Sequence, residues 1–121
     1  MLVGVWDGAR LRQTFQQVVD NAIKFSPGGG EVSVCLDRAD DGGRGCAVLT
    51  ISDGGIGIPE RDLPHVFDRF YRGENVVGRF KGAGLGLFEA QLDVVRHDGI
   101  IGAESSEGRG SIFTIKLPVA N

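Results

Sequence analysis

Asp53-Gly54-Gly55-Ile56-Gly57-Ile58-Pro59 follows directly on an apolar run at residues 47–51, and Gly82-Ala83-Gly84-Leu85-Gly86-Leu87 opens a second apolar segment further on. Between the two glycine clusters lies a stretch rich in arginine and aromatic residues. Glycine at such positions admits tight turns and lets another group approach the backbone closely. Upstream of the first cluster, Val32, Val34 and Leu36 alternate with Ser33 and Cys35, the period of a half-buried strand. Asp40-Asp41-Gly42-Gly43 separates that run from residues 47–51, so the two read as a hairpin whose second strand is the more buried.

Before the hairpin, Leu11, Phe15, Val18, Val19 and Ala22 recur at three- and four-residue spacing, which predicts a helix with one apolar stripe running up to Phe25. Asp7 is a plausible cap for its start. Pro27 and Gly28-Gly29-Gly30 end it, because proline pushes Ser26 out of helical space. Residues 1–5 are apolar enough for an edge strand. Residues 54–81 show no sustained period and leave room for two short helical turns, at 60–63 and 64–71. A second helix is expected from about Leu85 to His97, stopped by Gly99. Two strands follow, at 100–105 and 111–117, around the turn Glu107-Gly108-Arg109-Gly110. The order predicts an α/β two-layer sandwich, a mixed and mainly antiparallel sheet covered on one face by helices.

The chain's 121 residues suffice for one core, so a single domain, 1–121, is expected to carry the function. Its 20 glycines exceed the usual share of roughly 7% and fall mainly in predicted loops. A net charge of −3 gives no basic footprint for nucleic acid. Nothing approaches the roughly 18 consecutive apolar residues of a membrane span, and no basic-then-apolar leader opens the sequence, so a cytoplasmic, monomeric domain without membrane contact is expected. Cys35 and Cys46 could face one another across the hairpin, but reduced thiols are the expectation in a chain without an export signal.

Three local patterns carry chemistry. Gln17, Asn21 and Lys24 share one edge of the first helix, and an amide oxygen suits magnesium while the ammonium suits a phosphate; an ordinary solvated helix face fits the same spacing. Asp53 closes a buried strand, where a carboxylate needs hydrogen-bond donors; a base with an exocyclic amino group would supply one, and so would a turn. Gly82, Gly84 and Gly86 lead into a helix whose unpaired amides would favour an anion, without the Gly-Lys-Ser/Thr sequence of a Walker loop.

Taken in order, Asp20-Asn21-Ala22-Ile23-Lys24-Phe25-Ser26-Pro27, residues 53–59, Phe67-Asp68-Arg69-Phe70-Tyr71-Arg72-Gly73 and Gly84-Leu85-Gly86-Leu87 resemble the N, first glycine, F and second glycine boxes of sensor histidine kinases. The resemblance covers nearly the whole chain. It implies the catalytic ATP-binding domain of a two-component kinase, with a Bergerat sandwich and a mobile lid over the nucleotide. By position it implies that Asn21 ligates magnesium, that Lys24 and Arg72 reach phosphate as catalytic groups, and that Phe25 and Tyr71 lie beside the nucleotide. Asp53 would read the adenine amino group in a pocket shaped by Gly55, Gly57 and Ile58. The segment Gly82, Gly84, Leu85, Gly86 and Leu87 would hold the phosphate chain. ATP and Mg2+ are the implied cofactors. The implied partners are a dimerisation domain bearing the acceptor histidine and, through it, a response regulator.

Four departures from the family pattern stand out. No residue upstream of the first strand supplies a phosphoacceptor hairpin, and neither His65 nor His97 fits an acceptor box; structural roles are expected for both. Gln17 stands where the family commonly has a second asparagine. Glu89 and Asp93 occupy positions that are usually apolar, while Leu85, Phe88, Leu92 and Val95 offer an alternative stripe, so the second helix is expected to sit rotated or to pack less well. Arg79, Phe80 and Lys81 precede the second glycine cluster as solvated charge or as added phosphate contacts. The alternative function is a degenerate module that binds ATP or a partner without transferring phosphate, and Gln17 and the altered helix are its support.

Overall fold

The computed structural model describes residues 4, 6–24, 26, 30–68 and 85–119. Of the expected strand at residues 1–5 only Gly4 is described, and it is in no strand; of the expected turn at 64–71, residues 69–71 lie outside the described residues. The first helix, α1, runs Gly8–Lys24. Asp7 caps it: its Oδ1 accepts the Arg10 N–H at 3.1 Å, and its carbonyl accepts Leu11 N–H at 3.0 Å. At the other end the Ser26 hydroxyl donates to the Ala22 carbonyl at 2.9 Å, taking up one of the orphan acceptors of the last turn. The face towards the sheet is Leu11, Val18 and Ala22, with Thr14 fully buried among them.

Four strands follow the pattern of the sequence: β1 Val32–Asp41, β2 Arg44–Asp53, β3 Ile100–Ser106 and β4 Gly110–Pro118. They form a sheet in the order β1-β2-β4-β3, and all three pairings among the described strands are antiparallel. The β1–β2 hairpin closes through Gly42 and Gly43, at φ 59° and 84°, the pair of positive angles that a two-residue hairpin turn of the primed kind requires. Alternation along the strands sends Ala47, Leu49, Ile51 and Phe113, Ile115, Leu117 to the helix side, where they meet α1 in one core. The second strand is the more buried of the hairpin, as expected: Ile51 is fully buried while Val34 and Leu36 on the edge strand are exposed. In this register Cys35 stands opposite Thr50 and Cys46 opposite Ala39, four rungs apart, and both thiols are free. A rung spacing of about 3.4 Å separates them well beyond disulfide reach.

The second helix, α2, runs Leu85–Arg96 and lies over β3 and β4 beside α1. It ends in a Schellman motif, with Gly99 N–H donating to the Val94 carbonyl at 2.9 Å and Asp98 N–H to Val95 at 3.0 Å. The residue that turns left-handed is Asp98, at φ 60°, and not Gly99. Gly99 is required for another reason, since a Cβ there would collide with the Lys116 carbonyl.

The expected rotation of α2 onto Phe88, Leu92 and Val95 does not occur. The helix buries Leu87, Ala90 and Val94, and leaves Leu92 and Val95 38% and 58% exposed. It keeps that face by taking Asp93 inside. The Thr14 hydroxyl shares its proton between the Arg10 carbonyl at 3.1 Å and Asp93 Oδ2 at 3.2 Å, and Arg10 and Arg96 approach Asp93 Oδ1 at 3.7 and 3.9 Å. His97 completes the junction structurally. Its Nδ1 lies 2.7 Å from the Asp93 carbonyl and its Nε2 accepts the Asp7 N–H at 2.9 Å, which assigns the imidazole proton to Nδ1. His65 pairs with Asp68 at 3.0 Å, beside the short turn Leu63–His65 that stands in the expected helical region.

Candidate functional site

The contacts Asp7–His97 and Thr14–Asp93 fix α1 and α2 as antiparallel neighbours. The end of α1 that carries Asn21 therefore lies at the same end of the molecule as the start of α2. Gln17 and Asn21 are half-buried on α1, so neither belongs to a fully solvated face. Gln17 Oε1 is buried and has no hydrogen-bond partner among the described residues. A buried amide oxygen without a donor costs free energy until a donor or a cation reaches it.

Asp53 ends β2 at the rim of the sheet and stands opposite Ser111, which in turn stands opposite Ser105. All three fall on the helix side. The Asp53 Oδ1 accepts the Gly55 N–H at 2.9 Å, closing a turn of the aspartate's own loop. Burial pushes the carboxyl above its ordinary pKa, and the amides of Gly55 and Ser111 pull it part of the way back. The result is a carboxylate that is held in place yet short of the solvation it would have in water.

The loop after Asp53 is fastened to the β3–β4 turn. Gly108 N–H donates to the Ile56 carbonyl at 2.7 Å, and Ile58 N–H to Ser105 Oγ at the same distance. Two glycines make the approach possible. Gly57, at φ 71°, leaves no room for a Cβ against the Ser106 carbonyl, and Gly110, at φ 99°, none against the carbonyl of Asp53. Ile58 packs against the core from this loop.

The structure thus brings Asp53, Gly55, Gly57 and Ile58 together at one end of the sheet. Leu87 is a core residue, 9% exposed. For Lys24, Leu85 and Gly86 only the backbone is described, in the last turn of α1 and the first of α2. Phe25, Tyr71, Arg72, Gly82 and Gly84 lie outside the described residues, as do Arg79, Phe80 and Lys81. Sequence reasoning missed Ser105, Gly110 and Ser111. No local signal marks them, since Ser111 meets Asp53 only through the pairing of β2 with β4.

The family model for histidine kinase-, DNA gyrase B-, and HSP90-like ATPases matches residues 6–121. The chain belongs to this ATPase family. Among its curated relatives, the sensor histidine kinase WalK of Bacillus subtilis is 39% identical over 113 residues, which cover 93% of this chain and 18% of that protein. AfsQ2 of Streptomyces coelicolor, a signal transduction histidine-protein kinase, is 41% identical, with 93% and 20% covered. The chain thus spans about a fifth of the length of the curated relatives it matches. Among solved structures, the mycobacterial sensor histidine kinase MprB superposes with a TM-score of 0.84 at 34% identity, over 96% of this chain and 76% of that one. Full-length ShkA in complex with AMPPNP gives 0.80 at 27% identity, over 100% of this chain and 24% of that one. The open antiparallel sheet with helices on one face is the fold of these histidine kinase ATPase domains.

Magnesium was among the expected cofactors, and the donor set fits it. The described residues hold no cluster of three His, Cys, Asp or Glu side chains that could bind a metal. The Gln17 oxygen, unpartnered among the described residues, and the amide of Asn21 one turn on are oxygen donors of the kind such a cation takes.

Proposed function

We propose that this chain is the catalytic ATP-binding domain of a sensor histidine kinase, 1–121, which binds Mg-ATP and presents its γ-phosphoryl group to a histidine on a dimerisation domain. The observation that carries the reading is Asp53, held by the Gly55 and Ser111 amides at the end of the sheet. Its carboxylate lacks solvation that an adenine amino group would restore. Gly55, Gly57 and Ile58 would shape the base pocket, with Phe25 and Tyr71 beside the nucleotide. Asn21 and Gln17 would hold the metal, which supplies charge neutralisation along the phosphate chain when bound. Lys24, Arg72 and the amides of the segment Gly82, Gly84, Leu85, Gly86 and Leu87 would fix the phosphates.

The histidine nitrogen of the partner domain attacks the γ-phosphorus, the bond to the bridging oxygen breaks, and ADP leaves; in-line positioning supplies most of the acceleration. The phosphoryl group would pass on to a response regulator. The domain is proposed to act in the cytoplasm as a monomer, and no helix among its described residues is long and apolar enough to cross a membrane.

Calorimetry with ATP, with and without magnesium, followed by labelled ATP and a histidine-bearing domain, tests the reading. Label on the histidine that disappears with Asn21→Ala is the expected result. Binding without transfer would leave the alternative of a module that binds without catalysis, which Gln17 in place of asparagine favours.

A further inference from the structure

Ser105 makes three hydrogen bonds with one hydroxyl, and their directions are fixed by counting protons. Its Oγ lies 2.8 Å from the Gly110 carbonyl, 2.7 Å from the Ile58 amide and 2.9 Å from Ser111 Oγ. A carbonyl only accepts and an amide N–H only donates, while a hydroxyl has one proton and two lone pairs. The Ser105 proton therefore goes to Gly110, and one lone pair takes the Ile58 N–H. What remains is a lone pair, so Ser111 must donate to it. Ser111 is then left with its proton committed and, among the described residues, its lone pairs open, directly across the sheet from Asp53. Ser111 is also buried, so bulk water does not scramble its orientation.

We infer that Ser105 is a positioning residue for base recognition: it anchors the loop after Asp53 through Ile58 and turns Ser111 into an acceptor beside the Asp53 carboxylate. Two adjacent acceptors favour a base edge that carries an amino group over one that carries a keto oxygen. The inference rests on the nucleotide reading above and adds to it a second-row residue on β3 that sets the discrimination. Ser105 does this without touching the base.

The test is the ratio of ATP to ITP affinity, measured by calorimetry with magnesium, because ITP replaces the 6-amino group with a keto oxygen and keeps the phosphates. The wild-type chain is expected to prefer ATP. In Ser105→Ala the Ser111 proton is released and can turn to a keto oxygen, so the ratio should fall about 3- to 10-fold, with Ser105→Thr restoring it. Ser111→Ala leaves the Ser105 bonds to Ile58 and Gly110 in place and should lower the ratio similarly, which keeps the test decisive if Ser105→Ala folds poorly. A ratio unchanged in both alanine variants, with ATP and ITP weakened equally, would overturn the inference while leaving nucleotide binding intact. A folded wild-type chain that binds neither nucleotide would overturn both readings.

Discussion

Replacing Asp93 by leucine should stabilise this domain, although Asp93 sits in a cluster of three polar side chains. The Asp93 side chain is 8% exposed, whereas those of Arg10 and Arg96 are 58% and 64% exposed and stand 3.7 and 3.9 Å away. Ion pairs of that kind contribute about 0.2 to 1 kcal/mol each. Thr14 offers only a shared proton at 3.2 Å, about 1 kcal/mol more. Against this total of roughly 2 kcal/mol stands the cost of burying a carboxylate, several kcal/mol after relaxation. Leucine sets methyl groups where aspartate has its oxygens, at a buried position facing Thr14 of α1. Asp93→Leu should therefore gain about 1 to 2 kcal/mol, and the Thr14 proton is not orphaned because the Arg10 carbonyl keeps it. Thr14→Val alone strips the carboxylate of its hydroxyl and should cost about 1 kcal/mol. In the double variant that cost disappears, so the pair should couple by about 1 kcal/mol. Thermal unfolding of the three variants at pH 7 reads these differences directly, with shifts of about 4 °C in Tm per kcal/mol for a chain of this size. Destabilisation by Asp93→Leu, with additive effects in the double variant, would show that the pairings outweigh desolvation and refute the reasoning.

Asp53→Asn should separate binding from stability. Burial raises the folded-state pKa of Asp53, so its ionised form is a penalty on folding at neutral pH. That penalty fades as pH falls through the raised folded value and is gone below the unfolded one. The asparagine variant should thus resist urea better than wild type at pH 7, by a margin that shrinks on acidification, while ATP affinity drops about 10- to 100-fold by calorimetry. A margin constant with pH would refute the assignment. Asp98→Gly relieves a left-handed residue at φ 60° and should raise stability by about 1 kcal/mol in thermal unfolding; no gain would mean that the aspartate makes a compensating contact. Gly110→Ala places a Cβ against the Asp53 carbonyl at a backbone angle that disfavours it, and should cost at least about 3 kcal/mol. A loss under about 0.5 kcal/mol would disprove the close approach.

Periodicity carried the fold because each element had a physical reason to be regular. The stripe Leu11–Val18–Ala22 and the alternation in both hairpins are what a two-layer sandwich must bury, and the Gly42-Gly43 pair located the first turn. The rotation expected for α2 failed because an acidic residue was read as unable to enter the core. Thr14, in the middle of the apolar stripe of the other helix, was the sign that it could. Asp53 and its glycines were legible as local sequence. Ser105 and Ser111 were not, since their importance arises from strand register, which aligns residues more than fifty positions apart. Gln17 was read as a departure in residue type, and only packing reveals that its oxygen lacks a partner among the described residues.

The Trp6 indole donates to the Pro118 carbonyl at 3.0 Å, and Val119 N–H to Gly45 at the same distance. Trp6 and Pro118 thus stand side by side, at the end of β4 opposite to Ser111. Seven steps along β4 separate the two ends, a span of about 24 Å. Segments attached at Trp6 and Pro118 would grip the domain at a common handle, at the far end of β4 from the Asp53 site.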